Sequence, residues 1–220
     1  MKKIAGAALI SVLISLPAFA TTDYKSNNMV PAWLTSRVYM GAYGGYGTID
    51  GAYENDGDFT QGRLSLGLNA YQYQRAMFGA EIAVQSGNSM RLQVSPAVLA
   101  ALGGLPVQVT LKPFVDLLVT VKGQITDRFP LIAFLKGGIA YRQMQLNDRI
   151  SSKDYLSQVN GELQAGLGYK LTEYATLTAF YQGIYSKSSA GVSVDPTGEF
   201  TYINQIPTQQ AGFVGIEYTI

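Results

Sequence analysis

Residues 60–71 read Thr60-Gln61-Gly62-Arg63-Leu64-Ser65-Leu66-Gly67-Leu68-Asn69-Ala70-Tyr71. Leucine occupies every second position from Leu64 to Leu68. Side chains of a strand alternate between two faces. Thr60, Gly62, Leu64, Leu66, Leu68 and Ala70 therefore share one face. Gln61, Arg63, Ser65, Gly67, Asn69 and Tyr71 share the other. A period of two identifies a strand rather than a helix.

The same alternation continues on both sides. Ala76, Phe78, Ala80, Ile82 and Val84 oppose Met77, Gly79, Glu81, Ala83 and Gln85. A longer segment sets Val107, Val109, Leu111, Pro113, Val115, Leu117, Val119 and Val121 against Gln108, Thr110, Lys112, Phe114, Asp116, Leu118, Thr120 and Lys122. Proline cannot donate to a ladder, so a bulge or local break is expected at Pro113. Further strands are expected over 37–47, 131–142, 159–171, 175–186 and 209–220. Each of the eight is near the ~9–11 residues that cross a bilayer when tilted. Short connections at 72–74, 126–129 and 172–174 alternate with long ones at 48–59, 86–106, 143–158 and 187–208. Short turns at one end and long loops at the other are the pattern of an outer-membrane barrel. The expected fold is all-β: a transmembrane, antiparallel, up-and-down barrel of eight strands with both termini in the periplasm.

Composition narrows the chemistry. The 220 residues include no His and no Cys, 24 Gly and 15 Tyr, and only 14% are charged. Without His there is no Ser-His-Asp triad and no imidazole ligand or acid–base group. Without Cys there is no disulfide, thiolate nucleophile or lipid-anchored cysteine. A formal charge of +1 gives no footprint for nucleic acid. No cofactor, metal or catalytic residue is expected, and the chain is read as a non-enzyme.

The start of the chain is an address. Met1-Lys2-Lys3 is basic, Ile4 to Leu16 is apolar or small, and Ala18-x-Ala20 closes the segment. This is the layout of a secretory signal peptide, with cleavage expected after Ala20. Residues 21–36 then form a periplasmic N-terminal segment carrying Trp33, the one Trp. The barrel occupies 37–220. No apolar run after residue 20 reaches the ~18 residues of a spanning helix.

Aromatic residues mark the lipid face. Tyr71, Tyr73, Phe129, Tyr169, Tyr174 and Tyr218 fall near the short-turn end, and Tyr46, Tyr141, Tyr181 and Tyr185 near the loop end, as two interfacial girdles would. The chain ends Gly215-Ile216-Glu217-Tyr218-Thr219-Ile220. This resembles the C-terminal assembly signature of outer-membrane barrels, with Gly215, Tyr218 and Ile220 at its key positions and Ile220 in place of the usual Phe. Val214, Ile216, Tyr218 and Ile220 would face lipid. Gly137-Gly138-Ile139-Ala140-Tyr141 and Gly166-Leu167-Gly168-Tyr169 are similar to the Gly-and-aromatic strands of the small barrels grouped with OmpA, OmpX and the opacity proteins. The resemblance covers 37–220. It implies a bacterial outer-membrane protein that meets lipid, lipopolysaccharide and the barrel assembly machinery, with loops that meet a host or cell-surface ligand.

Within such a barrel the inner face collects Arg63, Lys112, Lys136 and Arg142 with Glu81, Asp116, Glu162 and Glu217. Eight strands enclose a space just wide enough for side chains. Charges there must pair, so an ion-pair network is expected, either as a structural plug or as a gate for small ions. Catalysis by a Glu81–Glu162 pair is disfavoured. Asp50, Glu54, Asp56 and Asp58 in the first long loop lack the spacing of an EF-hand and read as a solvated acidic loop. In the second, Ser95-Pro96-Ala97-Val98-Leu99-Ala100-Ala101-Leu102-Gly103-Gly104 carries a cap, a first-turn proline and a terminal glycine. A short apolar helix is expected there, with Val98, Leu99 and Leu102 packing on the rim or meeting a partner. The functional expectation is a structural or surface-interaction role in the envelope. A narrow pore for ions or small solutes is the alternative.

Overall fold

The computed structural model describes residues 37–52, 54–93, 104, 107–126, 129–146, 155–186, 192–194, 201–203 and 205–220. Its strands are β1 (Arg37–Ile49), β2 (Asp58–Tyr73), β3 (Ala76–Gln85), β4 (Asn88–Leu92), β5 (Val107–Leu111), β6 (Phe114–Gln124), β7 (Leu131–Leu146), β8 (Tyr155–Lys170), β9 (Ala175–Tyr185), β10 (Val192–Val194), β11 (Thr201–Ile203) and β12 (Gln209–Thr219). Eight of them close a ring in the order β1-β2-β3-β6-β7-β8-β9-β12, every neighbour antiparallel. β1 and β12 seal the ring from Tyr39↔Thr219 to Ile49↔Gln209. Closure leaves no free sheet edge along this span, which is what lipid demands of a backbone. β4 and β5 extend the β3–β6 wall beyond the ring, and β5 also pairs with the upper part of β7. The short pair β10–β11 forms a separate sheet. The expected signal peptide and periplasmic segment over 1–36, with Trp33, and the apolar segment with Val98, Leu99 and Leu102 lie outside the described residues.

The polarity of the wall is inverted relative to a soluble barrel. Leu64, Leu66, Leu68, Ile82, Leu117, Val119, Leu167, Val214 and Ile216 are all exposed. Arg63, Glu81, Asp116, Lys136 and Arg142 are all buried inside. An apolar exterior around a charged interior is stable only against hydrocarbon. All ten girdle aromatics face outward. Tyr71 does so through a register shift. A bulge between Asn69 and Tyr71 takes Tyr71 off the face of Gln61 and Arg63, where strict alternation places it.

The irregularity at Pro113 is larger than a bulge. β5 stops at Leu111 and β6 begins at Phe114. Across the break the inward parity changes. Val109 and Leu111 are 0% and 1% exposed, whereas Val115 and Leu117 are 40% and 56% exposed. The partner strand changes phase at the matching place: Glu81, Ala83 and Gln85 point inward on β3, and Met90 and Leu92 on β4. The ladder is carried across by Ser86 N donating to Gly62 O at 2.9 Å and Lys112 N donating to Gln143 O at 2.9 Å. Lys112 consequently lies on the exposed side and is not a lumen residue. Its alternation was continuous with Asp116 only if the strand ran unbroken through the proline.

Candidate functional site

The lumen is built from one side chain after another of the inward faces, and all eight wall strands contribute. Glu81 on β3 is its hub. It accepts from Arg63 Nη2 at 2.8 Å, Lys136 Nζ at 2.7 Å and the Tyr39 hydroxyl at 2.9 Å. Glycine makes this possible, since a Cβ at Gly67 would sit 2.1 Å from the Tyr39 ring. Arg63 also faces Asp116, with Nε 3.4 Å from Oδ2, an ion pair rather than a directed hydrogen bond. Gln85 Nε2 donates to the same Asp116 oxygen at 2.5 Å. On the far wall Glu162 Oε1 accepts from Gln164 Nε2 at 2.6 Å and Gln182 Nε2 at 2.5 Å. Toward the short-turn end Lys122 pairs with Glu217, its Nζ 3.4 Å from the Tyr39 ring centroid. Toward the loop end Arg142 donates from Nε and Nη2 to Asn160 Oδ1 at 3.1 and 2.9 Å, and from Nη1 to Pro207 O at 2.9 Å.

An aromatic cluster occupies the space beside the charges. Phe180 stacks on Phe213 with centroids 5.1 Å apart and takes Tyr43 edge-on at 5.2 Å. Phe134 meets Phe180 at 6.0 Å. The cations lean on these rings: the Arg63 guanidinium is 5.8 Å from Phe180 and Lys136 Nζ is 5.1 Å from Phe134. Contacts of this kind offset part of the cost of removing a cation from water. Above the charges lies an apolar cluster that includes Phe59, Met90, Leu92, Val109, Leu111, Phe114, Met144, Ile184 and Ile206. It follows from the parity change, which turns the alternate residues of β4 and β5 inward.

Seven of the eight proposed lumen charges lie inside: Arg63, Glu81, Asp116, Lys136, Arg142, Glu162 and Glu217. Lys112 does not, for the reason given above. Lys122 stands inside in its place, and its position on the Asp116 face of β6 was readable. Among the described residues Arg142 joins no carboxylate directly but holds an amide and a backbone carbonyl. Gln85 and Gln164 fall on the inner faces that alternation gives to Glu81 and Glu162, whereas Asn160, Gln182 and the inner aromatics Tyr43, Phe134, Phe180 and Phe213 were not foreseen. Glu81 is held by two cations and a phenol. At the chain end, Tyr218 and Ile220 face outward and Glu217 inward. A Cβ at Gly215 would lie 2.1 Å from Ala42 O and 2.6 Å from Tyr43 Cα, so this glycine lets β12 close against β1.

Outside the membrane span, the first loop is tied to β4. Arg91 grips Asp56 through Nε at 2.5 Å and Nη2 at 2.9 Å, and Ala52 bridges to Leu92. The hydrogen bonds from Arg91 hold the Asp56 carboxyl below its ordinary pKa. Asp56 is thus part of a tether rather than of a solvated acidic cluster.

No protein-family model matches the sequence, and no curated protein matches it. Solved structures do. The attachment invasion locus protein Ail of Yersinia pestis, in complex with the heparin analogue sucrose octasulfate, is 12% identical, with 84% of this chain and 97% of that one covered at a TM-score of 0.48. The outer membrane protein OprG of Pseudomonas aeruginosa is 11% identical, covering 84% and 95% at 0.49. Neisserial surface protein A is 10% identical, covering 83% and 96% at 0.45. The chain is an eight-stranded antiparallel β-barrel with an apolar exterior and a packed, charged interior, and its structural neighbours are small outer-membrane barrels.

Proposed function

We propose that this chain is a bacterial outer-membrane barrel that works through its outward surfaces, as an envelope component whose loops bind a host or cell-surface ligand, and not as a pore or an enzyme. The observation that carries this reading is the filled lumen. Ion pairs and stacked aromatics lie side by side in the interior, with the apolar cluster above them, leaving the interior to rigidify the wall. Lipid and lipopolysaccharide are the partners of the apolar belt, and the assembly machinery is the partner of the terminal strand. An exported chain would enter the membrane with both termini in the periplasm, after loss of residues 1–20.

The test is a set of strains expressing the protein with the segments 94–106 or 187–204 replaced by short turns. Binding of the cells to host-cell surface or extracellular matrix should fall while the barrel still assembles. Unchanged binding together with altered small-solute uptake would refute the surface role.

A further inference from the structure

The outward face of the barrel changes chemistry within one row of residues. Leu64, Val84, Val115, Tyr141 and Val159 stand side by side in register, all exposed and apolar or aromatic. Tyr141 belongs to the loop-end girdle, so this row is the upper edge of the lipid belt. The next row toward the loops holds Lys112, Gln143 and Ser157. Lys112 N donates to Gln143 O at 2.9 Å, and Gln143 faces Ser157. The row beyond holds Ser89, Thr110 and Gln145. There the Ser89 and Thr110 hydroxyls are bonded at 2.9 Å. These side chains point away from the lumen, because the alternate residues Met90, Val109, Leu111 and Met144 fill the apolar cluster inside.

Charge separates this ledge from an ordinary wetted surface, which mixes both signs. Residues 88–92, 107–113, 141–146 and 155–160 contain no Asp or Glu. Among the described residues Lys112 pairs with no carboxylate. Asp56 reaches the far corner of the ledge from the first loop and is held there by Arg91. The neighbouring flank is of the opposite kind, with Asp50 after β1 and Asp58 at the start of β2 both exposed.

Below Lys112 the belt is hollowed. Gly44 faces Gly62, and Ser86 lies beyond, its Oγ accepting from Gly62 N at 3.0 Å. With Leu64, Val84 and Pro113, Gly62 and Ser86 line an open groove of about 540 Å³. A Cβ at Gly44 or Gly62 would meet nothing within 4 Å. The groove opens toward hydrocarbon, and Lys112 adjoins its Pro113 end. An apolar slot at the foot of a cation and a ladder of amides and hydroxyls suits an acylated, phosphorylated saccharide.

We propose that this ledge binds lipopolysaccharide, with Lys112 on a phosphate, the amides and hydroxyls on the sugars and one acyl chain in the groove. The inference rests on the outer-membrane reading above and gives that lipid a defined seat on one flank of the barrel.

The test is native mass spectrometry of the full chain refolded in non-ionic detergent and titrated with lipopolysaccharide truncated to lipid A and inner core. One saturable complex is expected. Lys112→Gln should weaken it about tenfold, the worth of one hydrogen bond to a charged group. Lys170→Gln, an exposed lysine at the short-turn end, should leave it unchanged. Gly62→Leu should fill the groove and weaken binding while the compact unboiled band persists. Dephosphorylated lipopolysaccharide should bind wild type no better than the intact lipid binds Lys112→Gln. Equal affinity of wild type and Lys112→Gln would overturn the site. So would tighter binding of a soluble sulfated glycan than of lipopolysaccharide, which would make the ledge a receptor face. A chain that gives the compact band in vesicles without this selectivity refutes the ledge alone. A chain that never gives the band refutes the membrane reading beneath it.

Discussion

Glu81→Ala removes the hub of the lumen, and its cost can be worked from the contacts. The substitution deletes acceptors at 2.7 and 2.8 Å from Lys136 and Arg63 and leaves the Tyr39 hydroxyl without its partner. All three partners are buried, so water cannot replace the carboxylate. Breaking a buried ion pair by removing one partner costs about 3–5 kcal/mol. The orphaned hydroxyl adds about 1 kcal/mol. Arg63 keeps Asp116 at 3.4 Å, which holds the sum to roughly 4 kcal/mol. That is about a thousandfold in the unfolding equilibrium. The assay is urea unfolding of the refolded barrel in lipid vesicles, with the folded fraction read from mobility of unboiled samples and from circular dichroism. Glu81→Ala combined with Lys136→Met should be less damaging than the sum of the single changes, since the second removes a charge the first has stranded. A loss below about 1 kcal/mol for Glu81→Ala would refute a tightly coupled interior.

Gly215→Val should prevent closure of β12 on β1 and abolish the compact unboiled band, because its Cβ would meet Ala42 O at 2.1 Å. Gly212→Ala, with nothing within 4 Å, should fold normally in the same gel assay. Leu66→Arg, exposed on the middle of β2, should destabilise the vesicle-inserted barrel by about 2–4 kcal/mol in urea titration. The tether between the first loop and β4 should weaken in acid. The Asp56 carboxyl is held below its ordinary pKa, so its contribution is complete above the unfolded value near 4 and is lost as pH falls through the lower folded value. The Arg91 amide donates to Asp56 Oδ2 at 3.3 Å, so its hydrogen-exchange protection factor should fall over that range while those of the wall strands hold.

The eight strands were legible because lipid on one side and packed charge on the other impose strict alternation, seen most purely from Leu64 to Leu68. Gly215 was legible as part of a terminal signature, and its close approach to Tyr43 supplies the physical reason. Lys112 was misplaced because alternation says nothing about phase across a break. Pro113 announced the break but not that β3 and β4 would change parity opposite it. The inner aromatics were hidden by the same ambiguity: Phe180 and Phe213 have strand propensity on either face, and only closure of the ring brings β9, β12 and β7 round to one cluster. The lumen amides carry no charge to single them out, yet Gln85 holds Asp116, and Gln164 and Gln182 hold Glu162.

The claim of a filled lumen is tested most directly by single-channel recording of the purified barrel in planar bilayers. Insertion confirmed by protease protection, with no discrete conductance steps above leak at either polarity, is the predicted result. Reproducible steps that change in size with Glu81→Gln or Lys136→Met would mean that ions pass through the network, and would contradict it.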